Sequence, residues 1–281
     1  MTVPTITLND QTTIPQLGFG VFQIPPDETA ATVASALEVG YRHIDTAQMY
    51  RNEEGVGEAI AASGIARDEL YVATKLNNGF HRPDDARRAF DESLTRLGLD
   101  RVDLFLIHWP LPTRYDGDFV STWQTLIEFQ KDGRATSIGV SNFQPAHLDR
   151  IIEETGVVPA VNQVEVHPFF TNEDVRAANQ RHGVLTEAWS PIAKGAVNDD
   201  DTIGEIASTV GRSPAQVTLR WHVQRGDIIF PKSMKAERMR ENFEIFDFEL
   251  SAEQVGALDA LDRGEAGRTG PHPDTFDYIP G

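Results

Sequence analysis

Asp45, Tyr50, Lys75 and His108 are the residues whose types and spacing could share a reaction. Asp45 lies near the end of the apolar run 41–47, Lys75 near the end of 70–76 and His108 near the end of 102–109; Tyr50 follows Asp45 ahead of a helix predicted to begin near Asn52. A phenol with a pKa of about 10 is a poor acid at neutral pH unless a nearby cation favours its phenolate. Lys75 can be that cation. A lysine is costly to bury alone, and Asp45 on the adjacent strand can compensate it while holding the ammonium beside Tyr50. His108 offers a second proton donor, or a hydrogen bond that positions a carbonyl oxygen. Singly, these residues read as a loop aromatic, a structural ion pair and a strand-end histidine. Together they read as a proton-delivery site.

The elements that must position them alternate along the chain. Short apolar runs at 17–22, 41–47, 70–76, 102–109, 136–143, 161–167, 185–192 and 227–233 predict eight strands. Amphipathic stretches at 28–39, 53–62, 84–97, 120–131, 146–154 and 172–181 lie between them, and Gly40, Gly64, Gly98, Gly133, Gly156 and Gly183 follow as helix-ending glycines. Eight βα units in 281 residues predict an α/β fold, a (β/α)8 TIM barrel occupying residues 1–281 as a single domain, with a doubly wound sheet as the runner-up. An N-terminal β-hairpin over 5–8 and 12–16 reads as a lid or plug. Further helices are expected over 202–210 and 251–261 near the C-terminus. The irregular tail 263–281 carries Phe276 and Tyr278, which could fold over one barrel end. In such a barrel the site is built at the C-terminal ends of the strands. Ser141, Asn142, His167, Trp189, Ser190, Lys232 and Ser233 join the first four at those ends.

Composition narrows the chemistry. With no cysteine there is no thiolate nucleophile, disulfide framework or cysteine-ligated metal. A net charge of −18 repels phosphate backbones, so no nucleic-acid partner is expected. No secretory signal or membrane span is visible, and a cytoplasmic location is expected. Nothing signals assembly, and a monomer is expected.

The motifs resemble those of the aldo-keto reductase family, nearest in character to bacterial 2,5-diketo-D-gluconate reductases. GYRHIDTA at 40–47 with Glu53, Val56 and Gly57 matches its first signature; LFLIHWP at 104–110, GVSNF at 139–143, NQVEVHP at 162–168 and PKSxxxxRxxEN at 231–242 follow in order. Thr136, Phe230 and Trp189 depart from common family choices, and the segments 110–119 and 193–200 are short. The resemblance implies hydride transfer from NADPH to an aldehyde, ketone or dicarbonyl, a small-molecule carbonyl substrate, with Tyr50 as general acid. It implies that Ser141, Asn142 and Gln163 bond the nicotinamide carboxamide and that Trp189 stacks on its ring. Ser190, Ile192, Lys194 and Gly195 would line the pyrophosphate path; Lys232, Ser233, Met234, Arg238, Glu241 and Asn242 would hold the adenosine phosphate end. Phe22, Gln48, His108 and Trp109 would surround the substrate. The stretch 232–240 carries a local charge of +3, which suits a 2′-phosphate.

Gly18-x-Gly20 lacks the third glycine of a dinucleotide fingerprint and reads as a turn. Two other functions compete: a regulatory barrel that holds NADPH with little turnover, and a metal-dependent barrel hydrolase built on His43, Asp45, Glu165 and His167. The second leaves Tyr50 and the basic stretch without a role, and no metal is expected.

Overall fold

A computed structural model describes residues 2–280. Eight parallel strands follow one another in sequence order: β3 (Phe19–Gly20), β4 (His43–Asp45), β5 (Tyr71–Leu76), β6 (Val102–Ile107), β7 (Ala135–Ser141), β8 (Val161–Glu165), β9 (Leu185–Trp189) and β10 (Ile228–Ile229). A parallel bridge between Leu17 and Ile229 joins the first edge to the last, with Gly18 N–H donating to Ile229 O at 2.8 Å. The sheet thus curls into the barrel that the eight apolar runs predict. The hairpin β1 (Thr5–Thr7) and β2 (Thr13–Pro15) pairs antiparallel. Its Leu8 and Ile14 pack with Leu104, Leu106, Val161 and Ile228, so it plugs the barrel's N-terminal end, opposite the strand termini that carry the polar residues.

Helices α1 (Pro26–Val39), α2 (Glu53–Ala62), α3 (Pro83–Leu97), α4 (Phe119–Lys131), α5 (Pro145–Thr155) and α6 (Glu173–His182) follow strands β3 to β8. Covering both faces of a strand requires a nearly continuous apolar run, and all six residues of β5 are buried. Helix α3 shows the matching period: Ala86, Ala89, Phe90, Ser93, Leu94 and Leu97 face inward, and Phe90 stacks on Phe105 with ring centroids 4.1 Å apart. Helices α7 (Asp201–Val210), α8 (Pro214–Gln224), α9 (Ala236–Phe243) and α10 (Ala252–Asp259) complete the chain.

Helix α8 has no counterpart in the sequence reading. Val217, Leu219, Trp221 and Val223 alternate with polar residues and mimic a strand, yet every residue from 216 to 222 is buried. A helix packed on several sides hides its own period. The available signal was its start: Ser213 and Gln216 form a reciprocal capping box, with Pro214 in the first turn.

Gly18 and Gly20 are not turn residues, as the sequence suggested, but lie at the barrel seam. A Cβ on Gly18 would sit 2.8 Å from the Phe230 ring and 2.9 Å from the His43 ring. Gly18→Ala should therefore lower stability by about 1–3 kcal/mol through overpacking, read as a shifted urea midpoint. An unmoved midpoint would show that Phe230 yields freely.

Candidate active site

The turn after β4 brings the phenol into place. The 3-10 turn Gln48–Tyr50 ends with Arg51 in the left-handed region at φ 58°, and Asn52 ties it down. Asn52 accepts from Thr46 Oγ1 and donates to Val21 O at 2.9 Å. Glu53, buried under α2, accepts from Thr74 Oγ1 at 2.6 Å and Arg96 Nε at 2.8 Å. The Asn52–Glu53 pair therefore ties the turn between β4 and α2 to β5, α3 and the segment after β3.

Lys75, fully buried on β5, donates to Asp45 Oδ1 at 2.6 Å, Asp45 Oδ2 at 2.7 Å and Thr46 O at 2.9 Å, and its Nζ lies 3.5 Å from Tyr50 Oη. Burial alone would lower its pKa; the Asp45 carboxylate, reinforced by Tyr50, outweighs burial and raises it. The sequence reading has Lys75 drawing the phenol's pKa down. Instead burial dominates and raises it, with the ammonium offsetting only part. Tyr50 therefore keeps its proton at neutral pH, beside a fixed cation ready for the phenolate.

The His108 ring lies 5.6 Å from the Tyr50 ring, edge to face. Burial, then Lys75, pushes the His108 pKa well down, so the imidazole is neutral. Its Nδ1 is enclosed without a partner among the described residues. It is a neutral ring rather than a second charged acid.

The residues expected to hold a nicotinamide meet around β7, β8 and β9. Asn142, at φ 63°, donates to His108 O and Ser141 Oγ and accepts from Trp189 Nε1 at 2.9 Å. Ser141 Oγ donates to Gln163 O. Gln163 Nε2 donates to Asp45 Oδ2 at 3.1 Å and Glu187 Oε2 at 2.8 Å. Beyond β9, Ser190 and Lys194 are also left-handed, at φ 52° and 55°. Ile192 precedes the turn that contains Lys194 and Gly195, and Lys194 Nζ donates to Thr269 O at 3.2 Å. Left-handed non-glycine residues at several strand exits mark a mouth whose loops turn under strain.

Lys232, Met234 and Arg238 are exposed, Ser233 and Asn242 are buried, and Glu241 is half-buried on α9. Ser233 Oγ accepts from Lys235 N at 3.1 Å ahead of that helix. Among the described residues no ion pair engages Lys232, Lys235, Arg238 or Arg240.

Phe22, 54% exposed, lies 5.0 Å from the Tyr50 ring, and Trp109 lies 4.2 Å from the Phe276 ring. The tail reaches the mouth, as its aromatics suggested: Asn78 donates to Tyr278 O at 2.9 Å and Arg114 pairs with Asp277. Gly281 lies outside the described residues. Gln48, expected beside the substrate, is already engaged with the backbone: its amide donates to Ala89 O and accepts from Asn77 N.

Two buried carboxyls were not singled out for the roles they hold here. Glu165 accepts from Thr269 N at 2.7 Å, Thr269 Oγ1 at 2.6 Å and Gly270 N at 3.0 Å, fastening the tail to β8, with His167 Nε2 3.1 Å away. Gly270 then meets the Trp189 ring, which a Cβ would approach to 2.4 Å. Glu165 is thus committed to the tail, and His43 packs between Phe230 and Tyr71. No three His, Asp or Glu side chains among the described residues form a metal-sized group. Glu187 is the other; burial, then Asp45, pushes it up to about 8. The signal for it was parity: Glu187 lies two residues before Trp189, on the same face of a strand.

Comparison with known proteins places this geometry. The Aldo/keto reductase family model matches residues 16–263. An aldo-keto reductase of Mycolicibacterium smegmatis is 48% identical over 275 residues, 98% of each chain. The methylglyoxal reductase DkgA of Yersinia pestis is 47% identical over 276 residues, 97% of each chain. The crystal structure of Gox0644 in its apo form superposes with a TM-score of 0.95 at 44% identity, covering 99% of this chain and 100% of that one. A mutant of Gox0644 in complex with NADPH superposes at 0.94, with the same identity and coverage. With the barrel, its strand-end residues and these full-length likenesses in agreement, this chain belongs to the aldo/keto reductase family.

Proposed function

We propose that this oxidoreductase is an NADPH-dependent reductase of small aldehydes and dicarbonyls, with Tyr50 as general acid. The observation that carries the reading is the fully buried Lys75 ammonium, gripped by Asp45 and 3.5 Å from the Tyr50 hydroxyl at the barrel mouth. The donor set fits the dinucleotide. Four exposed cations without ion pairs among the described residues stand at or just before α9 in a protein of net charge −18, a field suited to a 2′-phosphate. Lys232, Ser233, Met234, Arg238, Glu241 and Asn242 would hold that end, and Ser190, Ile192, Lys194 and Gly195 the pyrophosphate. Ser141, Asn142 and Gln163 would take the carboxamide, with Trp189 against the nicotinamide ring. Ser141 and Asn142 bond each other and their neighbours, so they are already ordered before the dinucleotide arrives.

NADPH, when bound, supplies the hydride to the carbonyl carbon. The chain's residues manage the oxygen. Neutral His108 bonds and orients it, Tyr50 Oη gives it a proton, and Lys75 stabilises the resulting phenolate until solvent restores the proton. Asp45 keeps the ammonium in position. Phe22 against Tyr50, and Trp109 against Phe276 of the tail, offer apolar surface to a compact substrate. DkgA, at 47% identity, is named a methylglyoxal reductase, which supports a small dicarbonyl as the first substrate to test. The assay is NADPH oxidation with methylglyoxal. No turnover with this or any reactive aldehyde would defeat the reading.

The charge argument yields its own expectation. Lys232→Ala and Arg238→Ala should each raise KM for NADPH about 10- to 100-fold, the worth of a charge-assisted hydrogen bond. KM for NADH should change by less than about three-fold, because the missing phosphate is what these side chains contact. Equal shifts for both cofactors would remove the assignment.

A further inference from the structure

Glu187 is a buried acid that this mechanism leaves unused. It is fully enclosed on β9, in register with Gln163 on β8, and β10 brings only Ile228 beside it. Its Oε2 accepts from Gln163 Nε2, and its Oε1 is enclosed without a partner among the described residues. The same Gln163 nitrogen also donates to Asp45 Oδ2. One amide nitrogen thus spans two carboxyl groups from opposite sides of the barrel interior.

That arrangement has one orientation. Asp45 accepts Lys75 with both oxygens, so only an N–H can face it; an amide oxygen turned that way would meet carboxyl oxygens. With the nitrogen committed inward, Gln163 Oε1 is the amide atom left for the mouth. Among the described residues no donor reaches it, yet it is not among the enclosed, unpartnered atoms. We propose that Glu187 is a positioning residue that, with Asp45, locks the Gln163 amide so that its oxygen is presented as an acceptor to the N–H of the cofactor carboxamide. The inference rests on the NADPH reading and adds to it the buried group that holds Gln163 in place. Because Glu187 is held protonated near neutral pH, it supplies the second acceptor without adding a second charge against Asp45.

The test compares NADPH with its 3-acetylpyridine analogue, in which a methyl replaces the carboxamide nitrogen. Binding is followed by tryptophan fluorescence. Wild-type protein should prefer NADPH by about 10-fold, the worth of one hydrogen bond in a buried site. Glu187→Gln, which keeps an acceptor oxygen, should retain most of that preference. Glu187→Leu should reduce it to within about two-fold, because Gln163 then keeps only its longer bond to Asp45 at 3.1 Å and its oxygen is no longer held in one direction. An unchanged preference in Glu187→Leu, or equal loss in both variants, overturns the proposal. Gln163→Leu guards against a Glu187→Leu variant that does not fold: it must lose the preference, and retaining it also overturns the proposal. Hydrogen exchange of the Gln163 side-chain amide, followed by NMR on glutamine-labelled protein without cofactor, separates this inference from the reading beneath it. Exchange should be slow in wild type and Glu187→Gln and at least 10-fold faster in Glu187→Leu. Wild-type protein that binds no NADPH strikes the functional reading; exchange that is equally fast in wild type and Glu187→Leu strikes the role of Glu187.

Discussion

Tyr50→Phe is expected to lower kcat by about 100- to 10,000-fold, the usual contribution of a positioned general acid, while NADPH binding changes by less than about two-fold. Removing one oxygen leaves the ring contacts with Phe22 and His108 in place, so the loss falls on the chemical step. The Tyr50 pKa is raised, chiefly by burial, and the proton is therefore present throughout the neutral range. Its departure becomes favourable only as negative charge grows on the substrate oxygen and Lys75 meets the new phenolate. Stopped-flow single turnover, which isolates chemistry from product release, is the appropriate measurement. A single-turnover rate within about three-fold of wild type would assign the proton to another group.

Lys75→Met should be the most damaging conservative-sized change in the barrel. It leaves the Asp45 carboxylate in a dry interior with its principal cation gone, a loss of about 3–5 kcal/mol. Thermal unfolding should fall by roughly 10 °C on the usual scaling for a protein of this size. The double variant Asp45→Asn/Lys75→Met should recover much of that stability, since no unpaired charge remains, yet stay as inactive as the single variant. Stability and turnover thereby separate: stability requires only that no charge be left unpaired in the interior, whereas turnover requires the ammonium itself. A double variant no more stable than Lys75→Met would mean that shape, not charge, dominates the cost.

Much of this arrangement is legible in the chain because strands exposed to helices on one face and a packed interior on the other require long apolar runs. A polar residue near the end of such a run is therefore conspicuous. Asp45, Lys75, His108 and Asn142 were identifiable in this way, and the structure brings them to one end of the barrel. Residues whose partners come from far along the sequence were less legible. Gln48 has the composition of a pocket residue, but Ala89 and Asn77 claim both ends of its amide, and neither contact has a local signature. Glu165 satisfies tail donors more than a hundred positions away. Glu187 needed the barrel's curvature, which sets it near Asp45. Helix α8 was masked by burial on several sides. The sign of the Tyr50 shift was also beyond reach, because it depends on how much water the turn excludes, a property of the closed fold rather than of the Lys75 pairing.

The fastening of residues 269 and 270 to Glu165 has a consequence for the order in which a newly made chain matures. Translation completes Asp45, Tyr50 and Lys75 early, and every barrel strand has been synthesised before Thr269 exists. The interior ion pair can therefore form while the edge of Trp189 is still uncovered. The covering segment docks after the strands, onto a carboxylate that has waited for it, so a polypeptide released prematurely near residue 262 would carry the acid and its ammonium but leave the edge of the indole without its Gly270 cover.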